Sequence, residues 1–280
     1  MRALRTLSLV GLFLLAGHSA GGSSGPSAGW LVLSGGELGA PAMRRFARLA
    51  GGADAAVLYI PSGASGVKLP SGVAWIPPEE SNATHNTRGF EEELARLFGV
   101  AKVTLLHSRE RRLWDSEPFT EPLRQAGGVW IGGGNAGRLA DLLLDTRAQR
   151  ELQALLNRGG VIGGNSAGAM IAGSFILRGR PDKPVLMAQG HDRGFGFIPG
   201  VAINPHLTSA RREEELVNVL DAHPELLGIG LDDDAAVVIH RDELRVLGPG
   251  RVAIYDDQKH GAHWFYDLPA DARFDLRLRR

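Results

Sequence analysis

Ser166 carries the strongest chemical signal in the chain. It lies in the stretch Gly159 to Gly173, GGVIGGNSAGAMIAG, where Gly164-Asn165-Ser166-Ala167-Gly168 fills the G-x-S-x-G pattern of a nucleophile elbow. A short apolar piece, Val161-Ile162, runs into glycines and then into small, apolar residues that suit a helix. That order describes strand, tight turn and helix. A serine at such a turn holds a strained backbone, and larger flanking side chains would collide with the strand or the helix. Amides at the start of the following helix can stabilise negative charge that develops there. The pentapeptide is short, however, and a glycine-rich turn without chemistry fills it as readily.

A serine hydroxyl is a weak nucleophile at neutral pH and needs a base, commonly a histidine steadied by a carboxylate. Of nine histidines, His206 is singled out because it ends a short apolar strand, in Ile203-Asn204-Pro205-His206. Asp232-Asp233-Asp234 ends another apolar run, Leu226 to Leu231, and one of the three can orient that histidine. Three successive aspartates also make a plain turn. With no further acidic cluster nearby they do not read as a metal site, and no cofactor is expected. The oxyanion hole falls to the amide of Ala167 plus that of Gly133 or Gly134, from the run Gly132-Gly133-Gly134-Asn135.

The elements that must position these groups follow from periodicity. Strands are expected at 30–33, 55–60, 102–106, 128–131 and 161–162, alternating with helices at 41–50, 89–98, 118–125, 136–144 and 147–157. Such alternation argues an α/β three-layer sandwich, a mostly parallel sheet covered on both faces, with its site at the carboxyl ends of the strands. Residues 132–135 and 163–166 then face one crevice. Beyond a strand at 201–204, residues 209–222 form an amphipathic helix with Leu216, Val217 and Leu220 inward. Strands at 228–231, 235–239, 244–247, 252–255 and 262–266 suggest an antiparallel C-terminal flank on the main sheet. Residues 62–86, rich in glycine, proline and serine, read as a long loop, either a lid or an ornament. Asn82-Ala83-Thr84 is a sequon attributed to chance.

Composition narrows the class. Hydrophobic residues make up 44% and charged residues 22%, ordinary for a globular protein. The 31 basic and 31 acidic side chains cancel, so no nucleic-acid or membrane partner is indicated. Cysteine is absent, which removes disulfides, thiolate metal sites and cysteine nucleophiles. Arg2 and Arg5 precede an apolar run from Leu7 to Ala16 and small residues through Ala20, the pattern of a secretory signal peptide. The expected organisation is therefore a signal peptide at 1–20, a flexible linker at 21–29 and one domain at 30–280. A secreted or periplasmic location follows, with no membrane contact after cleavage. A homodimer is compatible by base rate alone.

Several segments together resemble the S51 serine peptidase family, which includes cyanophycinase and aspartyl dipeptidase (dipeptidase E). They are Leu31 to Glu37, Val129 to Asn135, Gly163 to Met170, Ile203 to His206 and Pro224 to Val238, so the likeness covers nearly all of 30–256. The resemblance implies a class I glutamine amidotransferase-like (flavodoxin-like) fold. It further implies a Ser-His-acid triad that hydrolyses bonds beside aspartyl residues through an acyl-enzyme. Carried onto this chain, Ser166 is the nucleophile, His206 the base, and Asp233 stands where the family has its glutamate. Asn135, Asn165 and Arg212 fall to substrate binding, and the partner is a peptide or dipeptide containing aspartate.

Three departures qualify the likeness. Asp233 is one methylene shorter than glutamate, so Asp232 or Asp234 could substitute. Ala136 replaces a glutamine of cyanophycinase. Ala210 and Glu215 fall where cyanophycinase has arginines, although Arg212 remains.

Two other readings compete. One is an α/β-hydrolase esterase, whose triad order of serine, acid, histidine would use Ser166, Asp233 and His260 or His263. The other is a non-catalytic binding module of the same shape. A glutaminase is disfavoured, because that chemistry on this fold uses cysteine.

Overall fold

The computed structural model describes residues 24–36, 39–80 and 87–280. The expected signal peptide and the sequon at Asn82 lie outside the described residues. The first half alternates as its periodicity requires: β1 (Trp30–Ser34), α1 (Ala40–Leu49) and β2 (Val57–Ile60), a hairpin of β3 (Val67–Lys68) and β4 (Ala74–Trp75), then α2 (Thr87–Phe98) and β5 (Val103–Leu105). After α3 (Arg111–Trp114) and α4 (Glu117–Gln125) come β6 (Gly128–Ile131), α5 (Ala136–Leu143), α6 (Arg147–Asn157), β7 (Val161–Asn165) and the single turn α7 (Ala167–Met170). The second half is strand-rich. It holds β8 (Gly173–Phe175), β9 (Ile198–Pro205), α8 (Glu213–Ala222), β10 (Leu227–Leu231), β11 (Ala236–His240), β12 (Glu243–Leu247), β13 (Val252–Tyr255), β14 (Tyr266–Leu268) and β15 (Arg273–Asp275).

The main sheet runs β15-β12-β11-β1-β7-β6-β2-β5. Its strands β1, β7, β6, β2 and β5 are parallel, and β11, β12 and β15 extend it antiparallel. The fold class read from the alternation is therefore correct, with one amendment. The C-terminal strands do not all flank the main sheet: β10, β13 and β14 join β8 and β9 in a second sheet, ordered β14-β13-β10-β9-β8. Apolar alternation identifies a strand but not its neighbour, which explains why the division was not visible. The last expected strand also shifts, since 262–265 form a turn closed by a His260–His263 bridge before β14 begins. The helix expected from 209 starts at Glu213, after a turn in which Arg211 has positive φ.

Three cores hold these layers, two of them against the main sheet. On one face of the main sheet, α1 and α2 bring Phe46 and Phe98 against Trp130 of β6, with ring centroids 5.2 and 5.3 Å apart. All three side chains are essentially fully buried. On the other face, a larger core joins α4, α5 and α6 to the inner faces of both sheets, through residues such as Leu33, Ile162, Ile203 and Ile229. Hydrophobic burial across this second core fixes the two sheets relative to each other. No helix among the described residues is long and apolar enough to cross a membrane.

Because Phe46 leaves a ring-sized void between α1 and β6 when truncated, Phe46→Ala is expected to lower unfolding free energy by about 3–5 kcal/mol. Urea denaturation followed by tryptophan fluorescence measures it.

Candidate active site

Ser166 follows β7 directly and precedes α7, with φ 52° and ψ −119°. This conformation is costly for a residue with a side chain and is held by its surroundings. The Ser166 N–H donates to the Ser34 carbonyl at the end of β1, 3.0 Å away. A Cβ on Gly168 would overlap the Ile131 carbonyl, so the turn can close against β6 only with glycine there. Asn165, buried beneath the turn, accepts from the Trp130 indole at 3.0 Å and donates to the Gly36 carbonyl at 3.1 Å. Its amide is thus engaged inside the protein. Those two bonds pin the elbow, while Asn165 also lines a small cavity beside it.

His206 and Asp233 come from the second sheet. His206 follows β9 in the left-handed region, φ 57°, and Asp233 lies in the turn after β10, the parallel neighbour of β9. The imidazole Nε2 stands 2.8 Å from Ser166 Oγ, and Nδ1 is hydrogen-bonded to the Asp233 carboxylate. The shorter aspartate reaches because the two turns leave adjacent strand ends. Its neighbours do other work. Asp232 accepts from the backbone N–H groups of Thr208 (3.0 Å) and Arg251 (3.3 Å), tying together the turns that carry the histidine and the acid. Asp234 lies against Gly250. His260 is paired with Asp256 at 2.9 Å, so the serine-acid-histidine order of an esterase does not describe this site.

Partial burial opposes the Asp233 charge. Hydrogen bonds from Ser209 and His206, with the charge on His206 and Arg212, outweigh it and hold the carboxyl below its usual range. A depressed acid stabilises the fold above its ordinary pKa, and that contribution is lost as pH falls through the lowered value. The stability difference between wild type and Asp233→Asn is therefore expected to shrink on acidification.

The amides expected to bind an oxyanion stand close to the nucleophile in the chain fold. Gly133 and Gly134 follow β6, beside Ser166, and Ala167 begins α7. Among the described residues the N–H groups of all three lack a partner, and Gly134 needs its positive φ of 119° to pass Gly63. Asn135 caps α5 by accepting from Arg138 N–H at 2.9 Å and donates to the Arg180 and Pro181 carbonyls. Its three bonds span the cap and the facing loop. It also lines the cavity beside Ser166.

Between these groups opens a cavity of about 260 Å³ lined by Ser166, His206, Met170, Pro184, Arg178 and Arg212. Arg212 is where it was expected and donates to the Pro205 carbonyl at 3.2 Å. Arg178 was missed, since nothing in the strand-poor stretch after β8 marks it. Its guanidinium is held by Asn204, which accepts at 2.8 Å, and by an ion pair with Glu215. Asn204 is fully buried and also donates to Glu215 and to the Arg212 carbonyl. The departure at Glu215 thus has a partner of opposite charge in Arg178. Among the described residues no cluster of three histidines or acids could hold a metal.

The model of peptidase family S51 matches residues 30–247, most of the chain. The chain belongs to that family. Cyanophycinase of Geminocystis herdmanii is 31% identical over 81% of this chain and 80% of its own length. Cyanophycinase of Trichormus variabilis is 35% identical over 60% of this chain and 56% of its own. Peptidase E of Citrobacter koseri is 30% identical over 46% of this chain and 58% of its own. Among solved structures, a peptidase from an acI-B1 Actinobacterium shares the fold, with a TM-score of 0.65 at 22% identity over 90% of this chain and 98% of its own. An S51 chain is a serine-type peptidase, and the serine, histidine and acid brought together above are the groups such a hydrolase needs.

Replacing the acid leaves the imidazole free to adopt the wrong tautomer. Asp233→Asn is expected to reduce kcat on the order of 10³–10⁴-fold, with KM changed little. Steady-state kinetics on any cleaved peptide tests this.

Proposed function

We propose that this chain is an exported serine exopeptidase or isopeptidase that hydrolyses aspartyl-containing peptides. The observation that carries the reading is the hydrogen-bonded line from Ser166 through His206 to Asp233. His206 Nε2 takes the proton of the Ser166 hydroxyl as Oγ attacks the scissile carbonyl, and Asp233 steadies the imidazolium. The amides of Ala167 and of Gly133 or Gly134 receive the oxyanion, already fixed in place before charge develops. The imidazolium then protonates the leaving amine. Water, deprotonated by the same imidazole, clears the acyl-enzyme.

Arg212 lines the cavity with the Pro205 carbonyl as its one side-chain partner among the described residues, and it favours an acidic substrate over a neutral one, since an arginine offers a carboxylate two parallel hydrogen bonds; the Arg178 charge is already met by Glu215. The relatives are named cyanophycinase and peptidase E, and the aspartyl class is carried over from the resemblance to that family. Export rests on the charged and apolar residues before Ala20.

Digestion of a panel of cyanophycin, β-Asp-Arg, Asp-Leu and neutral dipeptides tests the reading. Wild type is expected to cleave one or more aspartyl substrates and spare the neutral ones, while Ser166→Ala and His206→Ala lose at least about 10³-fold. His263→Ala should keep its activity. Equal cleavage by wild type and Ser166→Ala, or loss in His263→Ala alone, overturns it.

A further inference from the structure

Two cavities meet at Gly134. Across the Gly133–Gly134 wall from the catalytic cavity lies a second one of about 210 Å³, lined by Tyr59, Lys68, Pro70, both glycines and Asn165. Its wall therefore includes the oxyanion glycines and the residue that precedes the nucleophile. Lys68 is the charged side chain of this second lining, and among the described residues its ammonium has no hydrogen bond or ion pair.

The backbone that presents Lys68 is fixed. Val67 and Lys68 pair with Trp75 and Ala74, and Trp75 is buried against Phe90 and edge-on to His107, 4.9 Å between centroids. Below the hairpin stands a second serine-histidine-glutamate array, in which His107 Nδ1 accepts from Ser62 Oγ at 2.9 Å and Nε2 donates to Glu79 at 3.2 Å. Ser62 is fully buried, so this array does not meet substrate. It serves as a strut. Arg109 adds bonds to the Ser62 and Ala64 carbonyls, and the Gly63 carbonyl between them accepts from Asn135 N–H at 2.9 Å. The segment leading into the hairpin is thereby fastened to the residue that follows the oxyanion glycines. A site prepared in this way loses little entropy when a ligand arrives.

We propose that this cavity is a second substrate subsite, in which the Lys68 ammonium receives a carboxylate of the peptide on the opposite side of the Gly133–Gly134 wall from Arg178 and Arg212. The inference rests on the peptidase reading above and sharpens it: the preferred substrate is a short peptide with two carboxylates, one for each cavity. The described part of the stretch read from sequence as a lid or an ornament, through Lys68 and Pro70, supplies part of the specificity.

The test compares β-Asp-Arg or Asp-Leu, whichever wild type cleaves, with two analogues: the C-terminal amide, and the peptide whose free aspartyl carboxylate is an amide. In wild type each analogue should show a higher KM. In Lys68→Met, KM for the parent peptide should rise about tenfold with kcat within about twofold, because one charge-assisted hydrogen bond is lost. One of the two discriminations should collapse while the other persists, which identifies the carboxylate that Lys68 holds. Lys68→Arg should restore part of it. If both discriminations survive in Lys68→Met, the subsite is overturned while the peptidase reading stands. A wild type that cleaves no aspartyl peptide overturns that reading, and the subsite with it.

Discussion

The structure depends on the contact between two sheets. Ser166 belongs to the main sheet, His206 and Asp233 to the second, and the packing between them sets the 2.8 Å from hydroxyl to imidazole. The turn that carries Asp233 is also the short covalent link from β10 of the second sheet to β11 of the main one. Apolar side chains such as Leu33, Ile162, Ile203 and Ile229 hold the sheets together by filling the shared core. Each partner arrives with its own local conformation already decided. The serine turn is closed by glycines and by the Ser34 carbonyl, the histidine turn by the Asp232 bonds. The core then needs only to bring two finished parts together.

Much of this could be read from the chain. The apolar runs of the first half, separated by helical periods, lead directly to the five parallel strands and to glycine-rich ends that share a crevice. Ser166, His206 and Asp233 were legible because each ends an apolar strand in a recognisable local pattern. Other features depended on distance in space. The second sheet was hidden because strand sequences do not encode partners. Arg178 sits in a stretch with no periodicity, and its importance comes from Asn204 and Glu215, 26 and 37 residues away. Asn135 and Asn165 have residue types that suit substrate contact, and their structural bonds, to the α5 cap and to the Trp130 indole, join residues whose proximity the sequence does not show.

The same reasoning separates the two serine-histidine-acid arrays. Both have hydrogen-bond geometry, and geometry alone would rank Ser62 with Ser166. Access distinguishes them. Ser166 opens on a cavity beside unpartnered amides, whereas Ser62 is sealed under the hairpin, where burial pushes its histidine below the usual pKa range. A neutral imidazole suits a strut, since it can donate from one nitrogen and accept at the other.

By holding the turn after β9 to the turns beside β10 and β13, Asp232 makes the imidazole and its carboxylate a cassette carried at one end of the second sheet. Such a cassette can slide or tilt as a body against the nucleophile without scrambling its own internal alignment. Drift in sheet-to-sheet angle over evolutionary time would then change reactivity in one coordinate at a time, and a compensating change in the shared core could restore it.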